Sequence, residues 1–340
     1  MELIFSKGVL KPDSSFADSF IELMGDADYL KLATGYVSED SLFFLLENLK
    51  NKPGLSCELV IGMHAFEGFT RSQFQTAFKL GEFLSNNKRG CVTVCCAYPF
   101  HGKIYNFYKE SNPLASIIGS ANITQLIPTR QRNVSLKIDD GSLLKTFEQQ
   151  YYELQKLCKS ICAWKPGAFR QSNSLLEDCE GVTQLTQTQY RDILDTKTNV
   201  SFKLPLKAEG KSNLNICFGK GRENTNKGII KPRSWFEFEI IVPQKITSLK
   251  GYPRDKKFSV ITDDGWSFEC KTQGDYSKNL RSTGGLAILG MWVKGKLLDA
   301  GAVNAGELIT PEMIHNYGAD YIELTATKDP NIWLLDFRGR

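Results

Sequence analysis

A chain of 340 residues exceeds the roughly 250–300 residues over which a single core keeps growing, so two domains are expected. With 41% apolar and 24% charged residues the composition excludes disorder, collagen and coiled coil, and a net charge of +4 is too mild to argue for nucleic acid by itself. No apolar stretch, including the one that ends in Leu59-Val-Ile-Gly-Met63, approaches the ~20 residues of a membrane-spanning helix.

The chain opens Met1-Glu-Leu-Ile-Phe-Ser-Lys7, with an acid in second place and without the basic-then-apolar order of a secretory signal, and a cytoplasmic protein is expected. Residues 29–35 read as a strand, followed by a helix opened by Ser38 or Asp40 and running through 42–49. A strand at 57–62, a helix around 71–84 and a strand at 91–96 lead into the segment at His101. Two further strands, 116–120 and 134–138, precede a helix from about 142 to 162. This alternation completes one α/β domain, assigned to residues 1–165.

Residues 166–200 lose the period and fill with Ser, Thr, Gln, Asn and acids, as a linker or peripheral segment would. A second domain, 201–340, is mostly β: residues 235–242 alternate strictly, 257–262 and 266–271 form a hairpin across Asp263-Asp-Gly265, and 322–325 and 332–336 continue the pattern. A barrel or pseudobarrel is expected there. The nine cysteines are odd in number and scattered, which fits reduced thiols. Cys95 with Cys96, and Cys158 with Cys162, are read as core packing rather than zinc ligands, since none of the three histidines lies near them; no metal or cofactor is expected.

Chemistry concentrates in His101-Gly-Lys103 followed by Gly119-Ser120-Ala121-Asn122. Cleaving a phosphodiester without a metal requires a nucleophile, donors for the phosphoryl oxygens and an acid for the leaving group, which imidazole, ammonium, hydroxyl and amide supply. Residues at i and i+2 of a strand share a face, so His101 and Lys103 can aim at one phosphate, and the small Gly119 and Ala121 let Ser120 and Asn122 approach it. The bland alternative is a histidine at a strand end beside an unrelated Gly-rich turn.

These residues resemble the HxK…GSxN signature of the phospholipase D superfamily, over roughly residues 25–160. The resemblance implies that His101 is the nucleophile, that Lys103 and Asn122 hold the phosphoryl oxygens and that Ser120 supports the geometry. Two positions depart from the pattern: the aspartate that many members carry five residues after the lysine is Tyr108, and the acid often found two residues after an asparagine like Asn133 is Ser135. Neither His64 nor His315 starts a second HxK; His64 is read as a satisfied histidine at a strand end and His315 as a helix surface residue.

The bases gather in the second half. Between 220 and 233 lie Lys220, Arg222, Lys227, Lys231 and Arg233 against the single acid Glu223. Arg222, Asn224, Asn226, Lys227, Arg233 and Trp235 form one candidate DNA-binding arm, and Asp275, Tyr276, Ser277, Lys278 and Arg281 a second. Arginine can read guanine and asparagine adenine, while lysine suits phosphates. The bland reading is two solvated loops. These arms, followed by Gly285-Leu-Ala-Ile-Leu-Gly-Met-Trp292, are similar to the B3-like pseudobarrel that binds DNA in plant auxin-response transcription factors.

A nuclease first and a pseudobarrel second resembles the NgoFVII-like restriction endonucleases. That resemblance implies a site-specific endonuclease acting on double-stranded DNA without Mg²⁺, a homodimer with one composite active site, and an ATPase or helicase-like partner for some relatives. The readings in competition are a lipid phosphodiesterase or transferase of the same superfamily, which a chain without a membrane segment and with basic arms fits poorly, and a DNA-binding regulator with a disabled catalytic domain, against which the complete tetrad stands.

Overall fold

The structure, a computed structural model, describes residues 1–5, 15–127, 131–170, 175–177, 179–208, 210–211, 213–219, 222–224, 229–231 and 233–339, with the backbone alone at 222–224 and 229–231. It divides into two units, Met1–Ser172 and Asn173–Arg340.

The first unit runs β1 (Glu2–Phe5), α1 (Phe16–Asp26), β2 (Tyr29–Thr34), α2 (Glu39–Asn51), β3 (Ser56–Ile61), α3 (His64–Glu67), α4 (Arg71–Asn86), β4 (Gly90–Cys95), β5 (Ile104–Lys109), β6 (Asn112–Gly119), β7 (Val134–Ile138), α5 (Gly141–Gln155) and β8 (Cys158–Ser160). Its eight strands form one mixed sheet in the order β1-β7-β6-β5-β2-β3-β4-β8, parallel across β2·β3 and β3·β4. Leu30 and Leu32 of β2, Leu59 and Ile61 of β3 and Tyr105 and Phe107 of β5 join Phe16 and Phe20 of α1 and Leu42 and Leu45 of α2 in one core. Period two along the strands leaves Ala33, Val60 and Cys95 to meet Tyr151 and Leu154 of α5 in a second. Ser38 caps α2, its hydroxyl accepting from Ser41 N.

One sequence expectation changes here. The helix expected to run to 162 stops at Gln155, and Cys158 pairs with Cys95 across antiparallel strands β8 and β4. Covering the open edge of β4 satisfies a ladder that a continued helix would leave bare, and tertiary pairing overrides local propensity. Beyond β8 the chain turns back over α3 and α4: Trp164 packs on Phe69 and Phe74, Phe169 packs on Phe74, and Arg170 N donates to Phe69 O at 2.8 Å.

The second unit runs β9 (Thr183–Gln184), α6 (Gln187–Leu194), β10 (Lys197–Pro205), β11 (Arg222–Asn224), β12 (Ile229–Lys231), β13 (Ile240–Ile241), α7 (Gln244–Thr247), β14 (Lys257–Thr262), β15 (Trp266–Gln273), β16 (Asn279–Ser282), α8 (Ala287–Asp299), α9 (Pro311–Tyr317), β17 (Tyr321–Thr327) and β18 (Ile332–Asp336). Its sheet, β10-β17-β18-β14-β15-β16-β13, curls as a pseudobarrel; β14·β18 is its parallel pair, and β9 pairs with β15. Residues 183–200, expected to be a linker or peripheral segment, thus supply β9, α6 and the first residues of β10.

The strand expected at 235–242 is reduced to Ile240–Ile241. Trp235, Phe236 and Phe238 are buried, but the backbone beneath them lies against α8, where the fully buried Lys294 donates to Trp235 O and, at 3.3 Å, to Glu237 O. An ammonium has taken the place of a ladder partner. A Cβ built on Gly290 of the same helix would stand 1.7 Å from Phe236 O. We therefore expect Gly290→Ala to lower the stability of this unit by about 1–3 kcal/mol through overpacking, read as a drop in its urea midpoint at unchanged m value.

Candidate active site

The site forms where β2 ends, β5 begins and β6 ends. His101 and Lys103 lie in the extended segment leading into β5, two residues apart, and converge: Lys103 Nζ is 3.1 Å from His101 Nε2 and donates to His101 O at 2.5 Å. An ammonium only donates, so the lone pair of Nε2 faces Lys103, which assigns the ring proton to Nδ1. Lys103 is 5% exposed, and burial holds its proton affinity below the ordinary lysine value; His101 is exposed.

Asn122 is buried beside them. Tyr36 N–H donates to its Oδ1 at 3.1 Å, and Thr34 Oγ1 lies 3.3 Å from the same oxygen. A backbone N–H demands an acceptor, so the carboxamide cannot flip, and Nδ2 stays on the opposite side. Gly35 separates His101 from Asn122: a Cβ there would lie 3.2 Å from His101 Cδ2 and 3.3 Å from Asn122 Oδ1. Ser120 is exposed and tied to the next strand; its hydroxyl donates to Asn133 Oδ1 at 3.0 Å and accepts from Val134 N at 3.1 Å. Gly119 enables that approach with a φ of +152°, where a Cβ would meet Val134 O at 2.5 Å.

The four residues singled out in the sequence are therefore drawn to the same end of the sheet, with His101, Lys103 and Asn122 around Gly35. Sequence reasoning missed Tyr36, whose ring stands edge-on to His101 with centroids 5.6 Å apart, and Glu67, whose two carboxylate oxygens each accept from Tyr36 OH at 2.8 Å. His64 is the satisfied histidine near a strand end that the sequence suggested. His64 is buried and stacks on Phe69 at 4.4 Å; its Nε2 accepts from Val37 N and its Nδ1 donates to Gly68 O, which fixes the neutral tautomer. Neither departure from the superfamily pattern sits at the site. Tyr108 is buried toward the other end of β5, its ring 4.6 Å from Lys31 Nζ, and Ser135 is buried under Gly119.

In the second unit the candidate arms fare unevenly. Arg222 and Asn224 lie in β11, paired with β12, and their side chains, like Asn226 and Lys227 altogether, are outside the described residues. Arg233 is half-buried in an ion pair with Glu237 at 3.0 Å. Trp235 requires correction: it is 1% exposed, with Nε1 donating to Glu307 O, so it belongs to the core and not to a DNA-facing surface. Ser277 is buried as well, its hydroxyl accepting from Asp255 N. Tyr276 projects, 48% exposed with φ +45°, between Asp275 and Lys278, which pair at 3.0 Å; Arg281 is half-exposed on β16.

Residues 14–164 match the NgoFVII restriction endonuclease N-terminal PLD domain, and residues 192–328 match the NgoFVII C-terminal B3-like DNA-binding domain. The solved phospholipase D family member Nuc from Salmonella typhimurium is similar over 47% of this chain and 95% of its own, with 14% identity and a TM-score of 0.34. NucT from Helicobacter pylori is similar over 47% of this chain and 99% of its own, with 15% identity and a TM-score of 0.35. No curated protein matches the chain. A phospholipase D-type unit joined to a B3-like unit defines a DNA-binding endonuclease of the phospholipase D superfamily. Within that class the two matched domains, in this order and spanning most of the sequence, place it: the chain belongs to the NgoFVII restriction endonuclease family.

The His64 geometry carries a pH dependence. Burial holds this imidazole neutral below its ordinary value of 6.5, so the unfolded chain binds the proton more readily and stability rises with pH. The contribution is complete above 6.5 and declines as pH falls below it, by up to ~1.4 kcal/mol per unit until the folded form protonates. Urea unfolding between pH 7.5 and 5 should show this slope in the wild type and a shallower one in His64→Gln.

Proposed function

We propose that this protein is a site-specific restriction endonuclease that hydrolyses double-stranded DNA through a phosphohistidine on His101, without a metal, and takes its target specificity from the C-terminal unit. The observation that carries the reading is the 3.1 Å approach of the Lys103 ammonium to the Nε2 lone pair of His101, beside a carboxamide that cannot rotate. Nε2 attacks phosphorus while Lys103 and Asn122 Nδ2 donate to the non-bridging oxygens, where negative charge grows in the transition state. The P–O bond to the leaving oxygen breaks and that oxygen takes a proton. Water then attacks phosphorus, giving its proton to the imidazole that protonated the leaving oxygen; the P–N bond breaks and His101 is regenerated. Ser120 braces the turn after β6 through Asn133 and Val134.

The leaving oxygen needs a protonated imidazole, and one chain supplies a single HxK. We assign it to the partner's His101 in a homodimer whose two-fold axis passes through the site, so that one composite centre cuts both strands in turn. The nuclease assignment covers residues 1–165 and the DNA-binding one 201–340, with Arg222, Tyr276, Lys278 and Arg281 as the arm residues we retain for DNA contact alongside Asn224, Asn226, Lys227, Arg233 and Asp275. An ATPase or helicase-like partner would show itself as ATP-dependent cleavage in cell extract. Nine free thiols fit a cytoplasmic setting.

Cleavage of mixed-sequence DNA should yield discrete fragments in EDTA, and His101→Ala should abolish cutting while leaving sequence-specific binding intact, since the two tasks fall to different units. Loss of cutting in EDTA with recovery on adding Mg²⁺ overturns the mechanism; loss of both cutting and binding in a folded His101→Ala protein overturns the division of labour. The shared centre makes a separate demand. Co-refolding wild type with an equal amount of His101→Ala should leave roughly a quarter of the dimers active, whereas independent sites would keep about half.

A further inference from the structure

Where the superfamily pattern carries acids, this chain has Tyr108 and Ser135. Neither is a carboxylate: Tyr108 is five residues past Lys103 along β5, a distance of roughly 16 Å, and Ser135 lies opposite Gly119 on β7. The contact made at Nε2 comes from the tip of a lysine, one point that fixes the position of the nitrogen and not the plane of the ring. Something else must hold the ring plane.

Tyr36 is the side chain placed to do so. Its ring meets the imidazole at 75° and 5.6 Å, while Gly35 walls the ring near Cδ2. Tyr36 is itself held from several directions. Its N–H is bonded to Asn122, its carbonyl oxygen lies 3.1 Å from Thr34 Oγ1, its hydroxyl reaches both oxygens of Glu67, and its ring stands edge-on to His64 at 5.7 Å. His64 in turn closes α3, the short helix that carries Glu67, by donating to Gly68 O at 2.9 Å. A ring fixed at its backbone, face and hydroxyl can act as a stop for a ring that is not.

We infer that Tyr36 is a positioning residue for this nuclease: its ring, anchored by Glu67 and braced by His64, holds the His101 imidazole in the plane from which Nε2 attacks phosphorus. This rests on His101 being the nucleophile. The work falls to the ring and not to the hydroxyl, which separates it from an acid–base role.

The test uses the full chain and a DNA duplex bearing a mapped cut site, with single-turnover cleavage, duplex Kd by anisotropy, and ¹⁵N-histidine spectra in which His101 must be told from only His64 and His315. Tyr36→Leu should slow cleavage between about ten- and a hundredfold at unchanged Kd, with the His101 signals shifted or broadened and those of His315 unmoved. Tyr36→Phe keeps the ring but loses the Glu67 anchor, and should be several-fold slower than wild type, well short of the Tyr36→Leu loss. Wild-type cutting by Tyr36→Leu overturns the inference, as does an equal loss in Tyr36→Phe, which would point to the hydroxyl, or a matching loss of DNA binding, which would point to general structure. Should Tyr36→Leu fail to fold, Glu67→Ala at the exposed anchor replaces it, with cleavage several-fold slower expected and a wild-type rate overturning the inference. His101→Ala run alongside keeps the two readings apart, because residual cutting there refutes the nucleophile rather than Tyr36.

Discussion

The hydroxyl of Thr34, at the end of β2 and fully buried, is the point on which the site rests. Ile123 N–H donates to it at 3.2 Å, Tyr105 OH stands 3.3 Å away, and Tyr36 O and Asn122 Oδ1 are within reach of its single proton. A hydroxyl both donates and accepts, so this one links the end of β2, the start of β5 and the turn after β6. Valine would fill the same space and leave Ile123 N–H without its acceptor, at a cost of about 1–3 kcal/mol. The side chains of the candidate site thus inherit their positions from the central strands of a mixed sheet, and not from the loops on which they sit.

That dependence explains what was legible in the sequence. His101 with Lys103, and Ser120 with Asn122, announce themselves because strand alternation turns a two-residue spacing into a shared face. Tyr36, His64 and Glu67 follow no spacing. They reach the site because β2 and β3 lie parallel in register, Thr34 beside Ile61, which brings the loops after both strands to the same edge. A single sequence does not display that register. Likewise the apolar spacing of Cys158 and Cys162 reads as a helix until β4 offers an unpaired edge.

The second unit shows the same limit in its polar groups. Alternation suggested a strand at 235–242, with Trp235 on a DNA-facing arm; instead Trp235, Phe236 and Phe238 are all buried, and a lysine is interred with them. Lys294 is bound to two backbone carbonyls, with its ammonium 4.7 Å from the Trp235 ring, and so offsets the desolvation a buried charge otherwise suffers. At the other arm, Tyr276 and Ser277 both adopt left-handed backbone, φ +45° and +58°, a conformation that costs non-glycine residues of order 1–3 kcal/mol each. Asp255 N–H bonded to Ser277 Oγ holds the turn, and the outcome is an aromatic face offered to solvent from a rigid base.

The return of the chain over α3 and α4 bears on how such an enzyme can be taken apart and recombined. Trp164, Phe169 and Arg170 hold Phe69 and Phe74, and through them the stretch that carries His64 and Glu67. A crossover at residue 165, where composition marks an end, would replace Phe169 and leave Phe74 short of an aromatic neighbour. The exchangeable module is longer than its own sheet: a chimaera that swaps the second unit must carry the first unit's own sequence through Arg170 to keep the packing around Phe69 and Phe74 intact.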